Sequence, residues 1–415
     1  MARRKKSAEV ANDARDVHSQ YNVLDLFAGC GGLSNGFEQT GRFNIVVANE
    51  YWIPAADTYE RNHPRTILIR GDITKDETKN AIIEKFANIA CDVIIGGPPC
   101  QAYSNAGYRN PDDPRGRLFN DYIEMVARLQ PRLFVMENVK GLLTMKHAKE
   151  KLSRKEIQSL NCLRKLENER LELLLLRKRH KNNPRKFKFT KKNERRIDEL
   201  AKEISLHKKS HPHLHESVIE QIVRQFDEIG YRVVFKLLNA ANFGVPQKRE
   251  RVIFIGVRDT FDVDFPVPTH QQSANSQENI LKWKTVREAI DDLKNAKEDP
   301  DWNHIFTRHS KDFLGKIRKT RVGQSALGFS DAFHRCNPDL PSRTVKENHG
   351  GVFIHYQKHR VMTPRELARL QSFADDFIFE GSKSQILVQI GNAVPPLLGK
   401  AIGEAVAAML DLKKH

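Results

Sequence analysis

A glycine-rich turn near the N-terminus sets the strongest constraint on the fold of this chain. The short apolar run Val23-Leu24 leads into the turn, which reads DLFAGCGGLS at 25–34, and Gly36-Phe37-Glu38 continues with a helical pattern. Glycines let the backbone approach a ligand, and the N-terminus of the following helix offers free N–H groups. Strand, glycine turn and helix in this order favour an α/β fold with a ligand site, although a lone turn of this kind is a weak signal.

Three further apolar runs end in turns that carry candidate functional residues. Glu50 ends the second run about 20 residues beyond the glycine turn, where a nucleoside-binding fold places the carboxylate that accepts from ribose hydroxyls. Asp72 follows the third run and Cys100 follows the fourth. We expect Gly29, Glu50, Asp72 and Cys100 to line one crevice at the strand ends. The three runs span residues 45–50, 66–69 and 92–95.

Cys100 lies in the hexapeptide Gly-Gly-Pro-Pro-Cys-Gln at 96–101. Two glycines and two prolines force a sharp, rigid turn, on which the sulfur can face a ligand. A deprotonated cysteine is a strong nucleophile at neutral pH, so the segment favours a catalytic thiol. A buried structural cysteine beside a tight turn explains the same segment equally well, and the segment alone leaves both interpretations open.

Six motifs together resemble those of bacterial-type DNA (cytosine-5)-methyltransferases. They are DLFAGCGG at 25–32, GGPPCQ at 96–101, MENV at 136–139, PQKRERV at 246–252, TPRELARLQSF at 363–373 and QIGNAVPP at 389–396. They occur in the order typical of that family and span nearly the whole chain. The resemblance implies an enzyme that binds S-adenosylmethionine and methylates carbon 5 of a flipped-out cytosine in duplex DNA. Two departures, Tyr103 for phenylalanine and Ala374 for proline, do not touch this chemistry.

The implied reaction explains the residue types. Carbon 5 of cytosine is not nucleophilic enough to attack a methyl sulfonium, but addition of the Cys100 thiolate at C6 turns the ring into an enamine with electron density at C5. That intermediate needs charge relief at N3. Glu137 follows the apolar run 132–136, and a carboxyl in a closed, partly apolar pocket suits a hydrogen-bond donor or acid. The alternatives for Glu137 are a helix N-cap or a solvated carboxylate.

A polar cluster precedes another apolar run at 252–256. It contains Gln247, Arg249 and Arg251. Guanidinium groups at this place could bind the base O2 or a flanking phosphate. Taken alone, such a charge run is usually a solvated face.

The resemblance also implies a binding site for S-adenosylmethionine. The matching residues are Phe27, Gly29 and Gly31 on the methionine side, Glu50 at the ribose, Tyr51, Asp72 and Ile73 around the adenine, and Gly391, Asn392 and Val394 in the C-terminal segment that completes the pocket. No metal is expected. The five cysteines are odd in number and form no C-x-x-C pair, which argues against a zinc site and disulfides and favours a reducing compartment.

The predicted fold is α/β, a mostly parallel, doubly wound sheet of the class I S-adenosylmethionine-dependent methyltransferase type (Rossmann-like), with a smaller target-recognition domain. We divide the 415 residues into a basic disordered arm at 1–20, a catalytic domain at 21–257, a target-recognition domain at 258–350 and a return to the catalytic domain at 351–415. Side chains of the small domain would read base edges in the major groove. No run of 18 apolar residues occurs, which predicts no membrane span.

Most of the net charge of +17 lies in one segment. Between Lys146 and His215 the chain carries 22 basic and 9 acidic residues. Leucines at roughly helical spacing, with a break at Asn182-Asn183-Pro184, predict an antiparallel helical hairpin inserted where the resembled family has a short connection. A clamp on the DNA backbone, a solvated hairpin without a partner and a surface for a protein partner all remain open.

The expected partner is duplex DNA, and a cognate restriction endonuclease is a further functional partner that the resemblance leaves open. We expect a monomer in the cytoplasm, associated with the bacterial nucleoid. Three other functions compete. A tRNA cytosine-5 methyltransferase fits the small domain less well, a non-catalytic DNA-binding regulator would not need Cys100, Glu137 and Arg249, and a nicotinamide oxidoreductase leaves Pro-Pro-Cys-Gln unexplained.

Overall fold

The computed structural model describes residues 20–99, 118–148, 153–258, 262–273, 280–328, 333–347 and 353–412, with the backbone alone at His215. Three predicted features lie outside these residues. They are the nucleophile Cys100, the departure at Tyr103 and residues 1–19 of the N-terminal arm.

A seven-stranded sheet forms the centre of the described structure, in the order β3-β2-β1-β4-β5-β9-β8. Strands β1 to β5 are parallel, and β9 runs antiparallel to both β5 and β8. The strands are β1 (Tyr21–Leu26), β2 (Phe43–Glu50), β3 (Ile67–Arg70), β4 (Val93–Gly96), β5 (Leu133–Val139), β8 (Arg232–Asn239) and β9 (Glu250–Val257). The strand order reverses at β1, and open α/β sheets bind ligands at such a point. The predicted α/β fold with a mostly parallel sheet is confirmed.

Helices cover both faces of the sheet and build the rest of the described structure. They are α1 (Gly32–Glu38), α2 (Ile53–Asn62), α3 (Asp76–Glu84), α4 (Leu118–Leu129), α5 (Arg154–Asn182), α6 (Lys191–Ser210), α7 (Val218–Glu228), α8 (Val286–Ile290), α9 (Lys311–Lys319), α10 (Pro364–Leu370), α11 (Lys383–Asn392) and α12 (Pro396–Asp411). Two small sheets complete the structure. They pair β6 (Lys146–Ala148) with β7 (His215–Ser217), and β10 (His270–Gln271) with β11 (Leu281–Lys282).

Strand β5 shows why the central strands read as continuous apolar runs. Successive side chains of a strand point to opposite faces of the sheet, so a strand covered on both faces must be apolar throughout. Leu133 and Val135 enter the core beneath α1 and α12, whereas Phe134 and Met136 enter the core beneath α4 and α7. All four side chains are fully buried.

A third apolar cluster lies beside the sheet and joins residues from both sides of the predicted boundary at 350. Val286 and Val345 pack there with Leu367 and Ile390. Helices α10 and α11 therefore belong to this cluster, whereas α12 packs against the sheet. The predicted domain limits remain a prediction, and this packing favours a boundary close to the start of α12.

The stretch Lys383–Asp411 is, by length and composition, apolar enough to cross a membrane, and 67% of its most apolar window is buried in the protein. It consists of α11 and α12, which are interrupted at 393–395. Ile386 and Ile390 of α11 and Leu398 and Ile402 of α12 lie in apolar cores. We therefore assign the stretch to two core helices.

The predicted basic insertion forms a hairpin of α5 and α6. A capping box of Ser153 and Glu156 begins α5, and a second one of Thr190 and Asn193 begins α6. The break between the helices begins at Asn183, as predicted. At its root, β6 pairs with β7 in antiparallel register.

Candidate active site

The carboxyl ends of β1 to β5 lie along one edge of the sheet because these strands are parallel. At the end of β2, the Glu50 carboxylate accepts hydrogen bonds from two backbone N–H groups. Gly29 N donates to Oε2 at 2.8 Å, and Trp52 N donates to Oε1 at 2.7 Å. Desolvation raises the pKa of Glu50, although the backbone N–H groups oppose that effect. The carboxylate is thus fixed beside the glycine turn with lone pairs left for a ligand.

The turn after β1 holds an unusual backbone conformation. Phe27 has a φ of 56°, which a side chain other than that of glycine rarely adopts. Gly29 follows with a φ of 57°, and a Cβ on it would meet no atom within 4 Å. The backbone at Gly29 therefore faces open space. Backbone strain of the Phe27 kind clusters at ligand sites.

The residues predicted around an adenine lie at the ends of the two neighbouring strands. The side chain of Tyr51, directly after β2, is 73% exposed. Beyond β3, Asp72 Oδ1 accepts from Thr74 N at 3.0 Å and from Thr74 Oγ1 at 2.8 Å, while Ile73 is buried. Since β2 pairs with β3 up to Glu50, these groups share one end of the crevice.

The C-terminal segment returns to the glycine turn. A Cβ on Gly32 would lie 2.3 Å from Val394 O, so only glycine allows this close approach. Cys30 Sγ also lies 3.9 Å from Gln389 O. Asn392 is exposed at this place and Val394 is buried. The structure therefore brings together the two ends of the predicted cofactor pocket.

A buried ion pair occupies the carboxyl end of β5. Arg251 Nε lies 2.6 Å from Glu137 Oε1, and each side chain is 12% exposed. Glu137 pairs with Ile253 across β5 and β9, so Arg251, two residues earlier on β9, is its diagonal neighbour. Among the described residues, Oε1 has no hydrogen-bond donor at good geometry. The ion pair with Arg251 therefore holds the Glu137 carboxylate in place near the end of β5.

The turn that leads to Cys100 packs directly on this carboxylate. A Cβ on Gly97 would lie 3.1 Å from Glu137 Oε2, so a larger residue would crowd it. Asn138 Nδ2 donates to Pro98 O at 3.1 Å from a side chain that is 5% exposed. Asn138 thereby ties the turn to β5. The sequence prediction quoted Asn138 within a motif and gave it no role, although a polar side chain directly after the predicted acid was a usable signal.

The structure places Gln247 and Arg249 in the interior of the protein. Both side chains are fully buried. Gln247 Oε1 accepts from Val345 N at 2.9 Å, and Arg249 Nη1 donates to Val345 O at 3.0 Å. Arg249 Nη2 also donates to Gly391 O at 2.9 Å. That the Arg249 guanidinium binds the base O2 or a phosphate stays a prediction, although its Nη1 and Nη2 atoms already donate to carbonyl oxygens of the protein. Gln247 and Arg249 fasten the chain near Val345 and Gly391 to the start of β9, and only Arg251 of the three reaches Glu137.

Arg249→Met should destabilise the protein by about 2–5 kcal/mol, because it leaves buried carbonyl oxygens without a donor. Arg251→Met is the matched control, since it removes an equal charge two residues away at the site itself. We expect the control to lose activity with a smaller loss of stability. Urea unfolding and methylation rates measure both effects. An Arg249→Met protein of unchanged stability and lowered activity would contradict the fastening role.

Comparison with known proteins identifies the family of the chain. A family model described as "C-5 cytosine-specific DNA methylase" matches residues 21–164 and 208–408. The chain belongs to this family. The methylase is 32% identical over 402 residues to the type II methyltransferase M1.HphI of Haemophilus parahaemolyticus, with 93% of this chain and 86% of the relative covered. It is 31% identical over 526 residues to the DNA (cytosine-5-)-methyltransferase M.ApeKI of Aeropyrum pernix, with 95% of this chain and 99% of the relative covered.

Solved structures show the same fold. A proposed DNA modification methyltransferase encoded within an E. coli prophage superposes with a TM-score of 0.64 at 22% identity, and 94% of this chain and 100% of that chain are covered. The Dnmt2 methyltransferase of S. pombe superposes with a TM-score of 0.54 at 15% identity, and 95% of this chain and 100% of that chain are covered. The family match and the curated relatives show that the methylase transfers methyl groups to carbon 5 of cytosine in DNA, and the family and fold imply S-adenosylmethionine as the donor. The described residues fit that donor, because an anchored carboxylate, an open glycine backbone and an exposed ring lie in sequence along the crevice.

Glu50→Ala should weaken the binding of S-adenosylmethionine by about 10–150-fold, since two ribose hydroxyls would lose a charged acceptor worth roughly 1.5–3 kcal/mol. Glu60→Ala on α2 is the control, because its carboxylate is 65% exposed and pairs only with Arg70 among the described residues. Isothermal titration with the cofactor measures both variants. Equal affinities would contradict the assignment of Glu50 to the ribose.

Proposed function

We propose that this methyltransferase acts on a cytosine flipped out of a specific duplex DNA sequence, through a covalent bond between Cys100 and C6 of the base. The observation that carries the proposal is the Glu137–Arg251 pair beside the turn that leads to Cys100. A base that entered the crevice here would meet an acid on one side, and the motif would supply a thiol on the other. The unstacked base is the form on which such chemistry is possible.

Each proposed step uses a residue of this chain. The Cys100 thiolate forms a bond to C6 while the electron pair of the C5–C6 double bond shifts towards C5. Glu137 donates a hydrogen bond or a proton to N3 and so relieves the charge that develops in the ring. Arg251 holds the carboxylate in place. When bound, S-adenosylmethionine would supply an electrophilic methyl group to C5, and S-adenosylhomocysteine would be the leaving group. Loss of the C5 proton to a base then re-forms the C5–C6 double bond and expels the Cys100 thiolate, and any proton on N3 returns to Glu137, which leaves 5-methylcytosine.

We further propose that the enzyme belongs to a restriction–modification system, with a cognate endonuclease as its functional partner. Support comes from relatives such as M1.HphI, which are named type II methyltransferases. The enzyme is further proposed to be a monomer that needs no metal. It acts in the cytoplasm, in association with the nucleoid. Light scattering of the purified protein tests the monomer.

Genome-wide mapping tests the function. The gene is expressed in a bacterial host that lacks 5-methylcytosine, and methylated positions are identified by bisulfite conversion. We expect methylation at one short sequence context and resistance of the host DNA to an endonuclease that cuts there. Purified enzyme is then compared on duplex DNA and on tRNA. Methylation of tRNA alone, or of DNA without sequence preference, would contradict the proposal.

A further inference from the structure

The far end of the α5–α6 hairpin carries an extreme positive charge. We define the tip as residues 177–196, and it contains eleven lysines or arginines and one acidic residue, Glu194. The remainder of α5 and α6 is nearly neutral, with eight basic and seven acidic residues. The charge is therefore concentrated where the hairpin lies farthest from its root at β6 and β7.

Ion pairs between the helices use the acidic side chains of the stem. Glu169 accepts from Arg196 Nε at 2.8 Å and from Arg196 Nη2 at 3.0 Å, and Glu167 pairs with Lys208 at 2.6 Å. These ion pairs hold α5 against α6. They neutralise Arg196 at the end of the tip and Lys208 in the stem, which is the part of α5 and α6 outside the tip.

Seven basic residues of the tip are exposed and have neither an ion pair nor a cation–π contact with a described residue. They are Lys178, Lys181, Arg185, Lys188, Lys191, Lys192 and Arg195. By contrast, Arg179 and Lys186 lie over the Phe187 ring.

The hairpin begins at the edge of the sheet where the candidate active site lies. It is inserted between β5, which carries Glu137 at its carboxyl end, and α7, which leads to β8. Val218 N, at the start of α7, donates to Met145 O at 3.1 Å and closes the root. The family model leaves residues 165–207 unmatched, so the outer hairpin is an addition to the shared fold.

We propose that the hairpin tip binds the phosphate backbone of duplex DNA outside the methylated sequence. This inference rests on the proposed function, since it takes duplex DNA as the substrate. Lysine and arginine without acidic partners neutralise phosphates and release counterions. At 1.5 Å per residue, the 29 residues of α5 extend about 44 Å, which matches roughly 13 base pairs of duplex. The tip thus reaches phosphates about one helical turn from the root.

Two variants with equal reduction of charge test the proposal. The tip variant replaces Lys178, Lys181, Lys188 and Lys192 with glutamine, which preserves helix propensity. The stem variant replaces Lys155, Lys165, Lys202 and Lys209 with glutamine. Fluorescence anisotropy measures the affinity of each protein for target and non-target duplexes over a range of salt concentrations. In a third protein, a short linker joins Ala148 to His215 and replaces the hairpin. This protein tests the same proposal if the tip variant folds poorly.

We expect the tip variant and the linker protein to bind target and non-target duplexes more weakly. The log–log salt slope should fall by about 0.9 for each DNA phosphate that the altered protein no longer neutralises. The methylated sequence should not change, because phosphate contacts position a protein and base contacts specify the sequence. The stem variant should follow the wild type.

Three results overturn the inference. They are equal salt slopes for tip variant and wild type, equally weakened binding in the tip and stem variants, and, when tRNA is used as a third ligand in the same assay, weaker binding of tRNA without weaker binding of duplex DNA. A wild type that fails to methylate duplex DNA would instead contradict the proposed function. If the wild type and all three altered proteins methylate the same sequence and have equal salt slopes, the inference about the tip is wrong and the proposed function still stands.

Discussion

Cys100→Ala should abolish methyl transfer and leave the binding of S-adenosylmethionine unchanged. Only a thiolate at C6 can activate C5, and removal of a covalent or acid–base group lowers a rate by at least about 10²-fold. Single-turnover methylation of duplex DNA measures the rate, and titration measures cofactor affinity. Cys162→Ala is the control, because Cys162 is an exposed free cysteine on α5. A rate above about 1% of wild type would contradict the nucleophile assignment.

A trapping experiment makes the Cys100 prediction sharper. DNA that carries 5-fluorocytosine at the target should form a stable adduct with the wild type, because fluorine cannot leave as the C5 proton does. The Cys162→Ala control should form the same adduct and Cys100→Ala should form none. Mass spectrometry of the digested adduct identifies the residue bonded to C6. An adduct at another cysteine would reassign the nucleophile.

Glu137→Gln should slow methyl transfer by about 10²-fold or more and change DNA affinity much less. The amide keeps a donor near N3 but cannot deliver a proton, and it loses the ion pair with Arg251. Glu250→Gln is the control, because this neighbouring carboxylate is 45% exposed and pairs with Lys140. Single-turnover rates and duplex affinities are compared for both. A Glu137→Gln rate within about twofold of wild type would show that the acid role is wrong.

Local pattern predicted the central sheet well. The parallel strands are buried on both faces, and such strands are continuous apolar runs that a single sequence displays clearly. Each run ends in glycine or a polar residue, so the end of β2 at Glu50 and the end of β5 near Glu137 were predictable without long-range information. The order of the strands then brought these ends to one edge.

The long-range contacts of side chains near the site could not be predicted from the sequence. Arg249 was predicted from its charge and motif to bind the base O2 or a phosphate, and Gln247 was predicted as a site residue from the same motif. In the structure they contact Val345 and Gly391, which lie 98 and 142 residues away from them. No local pattern reports a partner at that distance.

The contact between Gly32 and Val394 also has a consequence for synthesis of the enzyme. The two residues are 362 positions apart. Helix α1, which begins at Gly32, packs in one core with α12, which begins two residues after Val394. At about 5–20 residues per second, translation separates them by roughly 20–70 s. During that interval a nascent chain already carries the glycine turn, Glu50 and Glu137 but lacks the wall of the cofactor pocket. Methylation should therefore begin only after α12 leaves the ribosome, so chains that stop early remain inactive.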